Sequence, residues 1–368
     1  MKLSELTTLR IGGDAERYVD ATTTEQLVET VLDADRTGEP WLVLGGGSNV
    51  LVADDGVEGV VVRVATSGIE RLPDAPRSSR PIRLRVQAGE SWESLVEHTV
   101  RQGFAGLEAL SGIPGSCGAA PIQNIGAYGQ ELAESLVALE VLDLETGERA
   151  TWPAPALELG YRTSTIKRGR RAVVLSIDLA LGADEDARSR PVRYAQLADA
   201  LAVEIGDTAP LVGVRAAVLS LRAGKGMVLD PDDRDSVSAG SFFTNPIVRE
   251  SFARTLPAGA PRWPQQPEPP ARAVALGADP APPPPVVEGA VKLSAAWLIE
   301  NSGIGRGFAL PGSGAAVSKK HTLALTNASG SATAREVAQL AGYIQTRVMS
   351  EFGVVLHPEP VLVGDIEL

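Results

Sequence analysis

The sequence contains one cysteine and three histidines in 368 residues. A lone thiol, Cys117, cannot close an internal disulfide, and so few scattered soft ligands exclude a structural zinc site; no metal is expected. Positive charge is also short. Thirty-four basic residues against 46 acidic ones leave a net charge of −12, which gives no footprint for a phosphate backbone, so nucleic acid is not an expected partner. No apolar run approaches the roughly 20 residues of a membrane span. The opening MKLSELTTLR has no stretch apolar enough for a secretory signal, and a cytoplasmic location is expected. Neither G-x-G-x-x-G after a strand nor G-x-x-x-x-G-K-[ST] occurs, so any nucleotide is held in another way.

What is present is enough apolar material for large cores. The chain is 44% hydrophobic and 22% charged, and its length predicts two or three domains. The first ninety residues alternate strands and helices. Thr22 or Thr23 caps a helix carrying Leu27, Val28, Val31 and Leu32 on one face and ending near Gly38. Trp41–Leu44 and Val60–Val64 read as buried strands, and Ile82, Leu84 and Val86 alternate with polar residues as in a strand with one wet face. Ser91 opens a helix to about Gln102. Strands are expected at Leu136–Leu144 and Ala172–Leu181, and a helix over Tyr194–Ile205. Val212–Arg222 is ambiguous by pattern, with its Ala and Leu content favouring a helix. Residues 257–285 hold 11 of the 26 prolines, and are expected to form an extended surface insertion outside any sheet. Thr333 and Glu336 form a capping box for a helix ending at Gly353.

Two glycine-rich segments carry the chemistry. Gly45-Gly46-Gly47-Ser48-Asn49 follows a strand directly, and successive glycines can aim several backbone N–H groups at one anion such as a pyrophosphate, although the pentapeptide also suits an ordinary tight turn. Residues 103–130 hold no period for long. Within them Ser111–Ser116 and Ala120–Gly129 offer small side chains that let a flat ring system approach the main chain.

These two loops, together with Thr7–Gly13, Tyr161-Arg-Thr-Ser164, Gly240–Pro246, Leu293–Glu300 and Leu356–Pro360, resemble in order one family: the UDP-N-acetylenolpyruvoylglucosamine reductases of bacterial cell-wall synthesis, in their longer subtype. The resemblance implies an α+β fold, with a two-part FAD-binding module of the vanillyl-alcohol-oxidase type and a C-terminal α+β substrate-binding domain. It implies boundaries near 66 and 223: subdomain 1 over 1–65, with the tail from about 358 returning to it, subdomain 2 over 66–222, and the substrate domain over 223–357. The implied reaction reduces non-covalent FAD with NADPH, then reduces the enolpyruvyl group of a UDP sugar to lactyl. Rival readings are another FAD oxidoreductase of the same fold acting on a small alcohol, and a non-catalytic sugar-nucleotide binder.

Residue by residue, the resemblance makes Ser241 the proton donor, with Arg162 and Glu359 polarising the substrate carboxylate. A fixed guanidinium suits the negative charge that builds there. It assigns FAD to Gly45, Gly46, Gly47, Ser48 and Asn49, to Ile113, Pro114, Gly115 and Ser116, to Ile125, Gly126 and Ala127, and to Arg222. It assigns the UDP sugar to Tyr128, Tyr194, Lys225, Asn245 and His321, with Tyr194 on a mobile loop and a histidine at 321 where relatives carry glutamine. Lys225 is also the group expected to ease proton release from Ser241. Cys117 is expected to fill space, and His98 and His357 to have no catalytic role. A monomer or weak homo-oligomer is expected.

Overall fold

The computed structural model describes residues 1–75, 79–183, 185–265 and 289–368. Its helices start where side chains can satisfy the free backbone donors of a first turn. Thr23 Oγ1 accepts the Gln26 N–H at 3.1 Å, capping the helix Thr24–Thr37, which buries Leu27, Val31 and Ala34 and stops at left-handed Gly38. Ser91 caps Trp92–Arg101, and Thr333 with Glu336 closes a reciprocal capping box on Ala334–Phe352.

Three sheets organise the chain. A parallel sheet has Val57–Val64 between Ala15–Ala21 and Trp41–Leu44. Its central strand starts three residues earlier than periodicity indicated, because Val57 still pairs with Ala15. An antiparallel sheet is centred on Ala172–Ala183, flanked by Leu136–Asp143 and by Ile82–Gln87; the latter strand alternates buried and half-buried positions as its sequence predicts. One apolar core joins this sheet to the helices Thr24–Thr37 and Trp92–Arg101. A second core surrounds Ala334–Phe352 and takes in Phe242 and Phe243. Near the C-terminus, Val361–Val363 pairs in parallel with Val50–Val52, the strand that leaves the first glycine segment. Among the described residues no helix is long and apolar enough to cross a membrane, and no group of three potential metal ligands occurs.

Two expectations need correction. The helix expected over Tyr194–Ile205 spans only Ala195–Leu201, because Ala202 turns left-handed at φ 53° and lets the Val203 N–H close back onto Ala198 O at 3.1 Å. Val212–Arg222 falls inside the helix Leu211–Ala223. The proline-rich stretch does enter a sheet: Arg262–Gln265 pairs with Ala290–Leu293 in a three-stranded antiparallel sheet completed by Ile247–Arg249. Pro264 is tolerated there because its strand is at the edge, where one row of N–H groups has no ladder partner. The rest of that insertion, 266–285, lies outside the described residues, as do 286–288. Since Gln265 and Ala290 are register partners, a linker of a few Gly and Ser residues can replace 266–288. The thermal unfolding midpoint of that variant should stay within about 4 °C of the parent, because changes in loop length alter closure entropy only slowly. Removing 257–285 whole would instead delete the edge strand and should lower the midpoint further; equal midpoints for the two deletions would argue against a stabilising role for that strand.

Candidate active site

The two glycine segments meet backbone to backbone. A Cβ on Gly46 would lie 2.7 Å from Gly115 Cα, closer than any real side chain stands, and the Ser48 hydroxyl donates to Pro114 O at 3.0 Å. Gly47 adopts φ 59°. Among the described residues the N–H groups of Gly46, Gly47 and Ser48 have no acceptor. Unpaired donors on consecutive residues form a concavity suited to an anion. Behind the loops, burial pushes the Cys117 thiol well up, so it remains protonated filler.

The candidate catalytic residues are assembled from segments far apart in sequence. Phe242 donates its N–H to Leu323 O at 2.7 Å and accepts from Glu359 N–H at 2.9 Å, and Thr244 donates to His357 O at 3.0 Å. This ladder sets Ser241 alongside Glu359 and beside the turn that carries His321. The Ser241 hydroxyl is half-buried, with no hydrogen-bond partner among the described residues. Arg162 Nε stands 2.9 Å from Glu359 Oε1, yet its N–H is not aimed at that oxygen. The contact is ionic, and the donor is left for another acceptor. Arg162 Nη2 donates to Gly126 O at 3.0 Å, so the Ile125–Ala127 segment expected to hold the cofactor touches the candidate catalytic arginine.

Burial raises the Glu359 carboxyl above the usual carboxylate range, against the pull of Arg162 and Lys167. A relay surrounds it. Asn49 Nδ2 donates to Gln123 Oε1 at 2.9 Å and to Glu359 O at 3.2 Å, while Gln123 Nε2 and Lys167 Nζ make longer bonds of 3.4 Å to Glu359 Oε1 and Gln123 Oε1. Backbone strain gathers at the same place: Asn124, Tyr128 and Arg162 take φ of 47°, 48° and 54°, at about 1–3 kcal/mol each for non-glycine residues. Asn124 Nδ2, bonded to Glu131 Oε2 at 2.9 Å and Gly160 O at 3.1 Å, helps hold that geometry.

A cationic wall faces this cluster. Arg222 is half-buried, donates to Met227 O at 2.9 Å and leaves a buried Nε without a partner; desolvation pushes it down to about 10. Lys225 Nζ donates to Gln196 Oε1 at 3.1 Å and lies 5.5 Å from the Tyr128 ring centroid. It makes no hydrogen bond to Ser241, the group it was expected to assist. Burial lowers His321 to about 4, with Lys225 and Arg306 adding to the shift, so the imidazole is neutral near pH 7. Tyr194, 44% exposed, meets Tyr128 edge-on at 5.6 Å between centroids. Asn245 Oδ1 accepts the Ala295 N–H at 2.9 Å, which fixes the amide and leaves its Nδ2 and one lone pair of Oδ1 for a ligand.

Sequence reasoning assigned no role to Gln123, Asn124, Tyr161, Lys167 or Lys292. Tyr161 OH accepts the Asn245 N–H at 3.3 Å, and Lys292 Nζ lies 4.9 Å from the Tyr161 ring centroid. Gln123, Asn124 and Tyr161 fall inside motifs already singled out, but nothing in a linear pattern says which members of a motif face each other.

The chain is similar to known proteins along nearly its whole length. The model of an FAD binding domain matches residues 15–151, and that of the UDP-N-acetylenolpyruvoylglucosamine reductase C-terminal domain matches 231–363. Curated UDP-N-acetylenolpyruvoylglucosamine reductases from Leifsonia xyli subsp. xyli and Salinispora arenicola are 58% and 48% identical, each over 98% of this chain and over 98% and 94% of their own lengths. The crystal structure of UDP-N-acetylenolpyruvylglucosamine reductase from Thermus caldophilus superposes with a TM-score of 0.62 at 25% identity, covering 99% of this chain and 98% of that one. Identity of this extent over 98% of the chain means that the chain belongs to the UDP-N-acetylenolpyruvoylglucosamine reductase family.

Proposed function

We infer that this chain is an FAD-dependent reductase of UDP-N-acetylenolpyruvoylglucosamine, converting the enolpyruvyl ether to the lactyl ether of UDP-N-acetylmuramate for peptidoglycan precursor synthesis. The observation that carries this reading is the meeting of Arg162 and Glu359 beside Ser241, next to two glycine segments in backbone contact. The residues suit FAD: three unpaired N–H groups of the first segment for its pyrophosphate, the buried orphan Nε of Arg222 for a further acceptor, and the Ile113–Ser116 and Ile125–Ala127 backbones for the ring system. Held there, FAD would supply hydride transfer, linking NADPH to the terminal enol-ether carbon.

The chain's own residues do the rest. Arg162, with a donor not committed to Glu359, holds the substrate carboxylate as charge builds on it. Glu359 fixes that guanidinium through their ionic contact. Ser241 gives its hydroxyl proton to the carbon bearing the carboxylate. Tyr128, Tyr194, Lys225, His321 and Asn245 line the way in and hold the UDP sugar, the two cations of the wall, Lys225 and Arg222, setting a favourable potential for its diphosphate. We divide the chain into an FAD module over 1–222, split near 66, and a substrate domain over 223–357 whose tail returns to the first part. Both co-substrates are multiply charged nucleotides that do not cross membranes, which supports a cytoplasmic location.

A yellow protein that bleaches with NADPH and regains its colour, without oxygen, on addition of UDP-N-acetylenolpyruvoylglucosamine carries out this reaction; failure of the second step would reject it. The role of Tyr194 has its own measurement. Tyr194→Phe should raise KM for the UDP sugar by about two- to tenfold, the net contribution of one neutral hydrogen bond, and leave reduction by NADPH unchanged. Slower flavin reduction in that variant would assign the tyrosine to the wrong half of the reaction.

A further inference from the structure

The segment leading into Tyr194 is tied down by two carboxylates. Buried Glu108 accepts the Arg190 N–H on Oε1 at 2.8 Å and the Gly106 N–H on Oε2 at 2.6 Å. Glu134 Oε2 accepts from Arg190 Nη1 at 3.2 Å and from Arg193 Nη1 at 3.1 Å. Two guanidinium groups, those of Arg190 and Arg193, therefore share one carboxylate oxygen. The side chain of Arg193 is 57% exposed, and a stem so mobile would roam if no fixed acceptor held it. Arg193 is also pressed against left-handed Gly129, where a Cβ would stand 3.0 Å from its own Cβ. The residues on either side of this contact, Tyr128 and Tyr194, are the pair that meet edge-on.

We propose that Glu134 is a positioning residue for the UDP sugar: by gathering Arg190 and Arg193 onto one carboxylate, it fixes where Tyr194 stands over Tyr128. The proposal rests on the reading of Tyr194 as a substrate contact. Glu134 Oε1 also accepts the Glu131 N–H at 3.3 Å within a local capping box. Glu134→Gln keeps an oxygen for that bond while it removes the charge and exchanges the oxygen that accepts from the two arginines for an amide NH2.

The test is calorimetric titration of the oxidised holoenzyme with UDP-N-acetylenolpyruvoylglucosamine, with no reductant present so that no turnover occurs. Glu134→Gln should weaken binding by about three- to tenfold, as expected for charge-assisted bonds that are partly exposed. Its FAD content and its rate of reduction by NADPH should equal those of the parent. Arg193→Gln, a change on an exposed side chain with little risk to folding, should act in the same direction. The double variant should be no worse than the weaker single one, because both remove one interaction. The gap between parent and Glu134→Gln should narrow as ionic strength rises from about 0.05 to 0.5 M.

Unchanged affinity in Glu134→Gln, or effects of Glu134→Gln and Arg193→Gln that add, overturns the proposal. Tyr194→Ala separates the two levels of argument. If it leaves affinity unchanged, the reading of Tyr194 fails and the anchor fails with it. If it weakens binding while Glu134→Gln does not, the reading stands and the anchor alone is wrong. An equal loss from Glu134→Gln in the parent and in the Tyr194→Ala background shows that Glu134 acts on something other than Tyr194, which also overturns it.

Discussion

Replacement of Ser241 by alanine is expected to slow the substrate half of the reaction by about 10²–10⁴-fold, the usual contribution of a positioned general acid. Completing the lactyl group needs a proton on the carbon that bears the carboxylate, whereas uptake of hydride from NADPH needs none there. The geometry makes this a clean substitution. Ser241 is held in place by the main chain, through Phe242 between Leu323 and Glu359, and its hydroxyl makes no hydrogen bond to the rest of the protein among the described residues. Removing Oγ therefore breaks no hydrogen bond among the described residues. Stopped-flow absorbance should show reduction by NADPH at nearly the parental rate, followed by slow return of colour with the enolpyruvyl sugar. Equal slowing of both phases would mean that the serine only supports its turn. A normal second phase would put the proton elsewhere.

Gly46→Val should abolish cofactor binding altogether. The new side chain would have to occupy the space in which Gly46 touches Gly115 Cα, and the obstacle is backbone, which cannot swing aside as a flexible side chain does. Separating the two glycine segments would also break the Ser48–Pro114 bond and spread the unpaired N–H groups meant for one anion. The protein should purify colourless yet retain its second core around Ala334–Phe352, visible as cooperative unfolding of the apoprotein. Stoichiometric flavin in the valine variant would return the Gly45–Asn49 segment to the status of a plain turn.

Local chemistry was legible in the sequence wherever a short pattern decides the outcome. Thr23, Ser91 and Thr333 cap the helices their positions indicate, because capping depends on residues three apart. The alternation of Ile82, Leu84 and Val86 gave the correct buried face for the same reason. Two misreadings share one cause, which is that context overrode propensity: Ala202 adopts a left-handed cap despite being a good helix former, and Pro264 joins a sheet because it lies on the edge. The site was legible as motifs and not as contacts. The pairing of Gln123 with Asn49 and Glu359, or of Tyr161 with Asn245, depends on chain folding over long separations, and no periodicity encodes it.

The return of Val361–Val363 to lie beside Val50–Val52 sets the order in which the enzyme comes into being. Asn49, in the first glycine segment, and Glu359 are joined by a hydrogen bond across 310 positions, so this wall of the candidate site waits for residues synthesised long after it. A nascent chain still on the ribosome has the cradle without its carboxylate and without the strand that braces it. Contacts of such separation form late and slowly. Until Glu359 is made, Arg162 lacks the carboxylate it contacts in the folded chain, although the helices and sheets that precede that residue can already form.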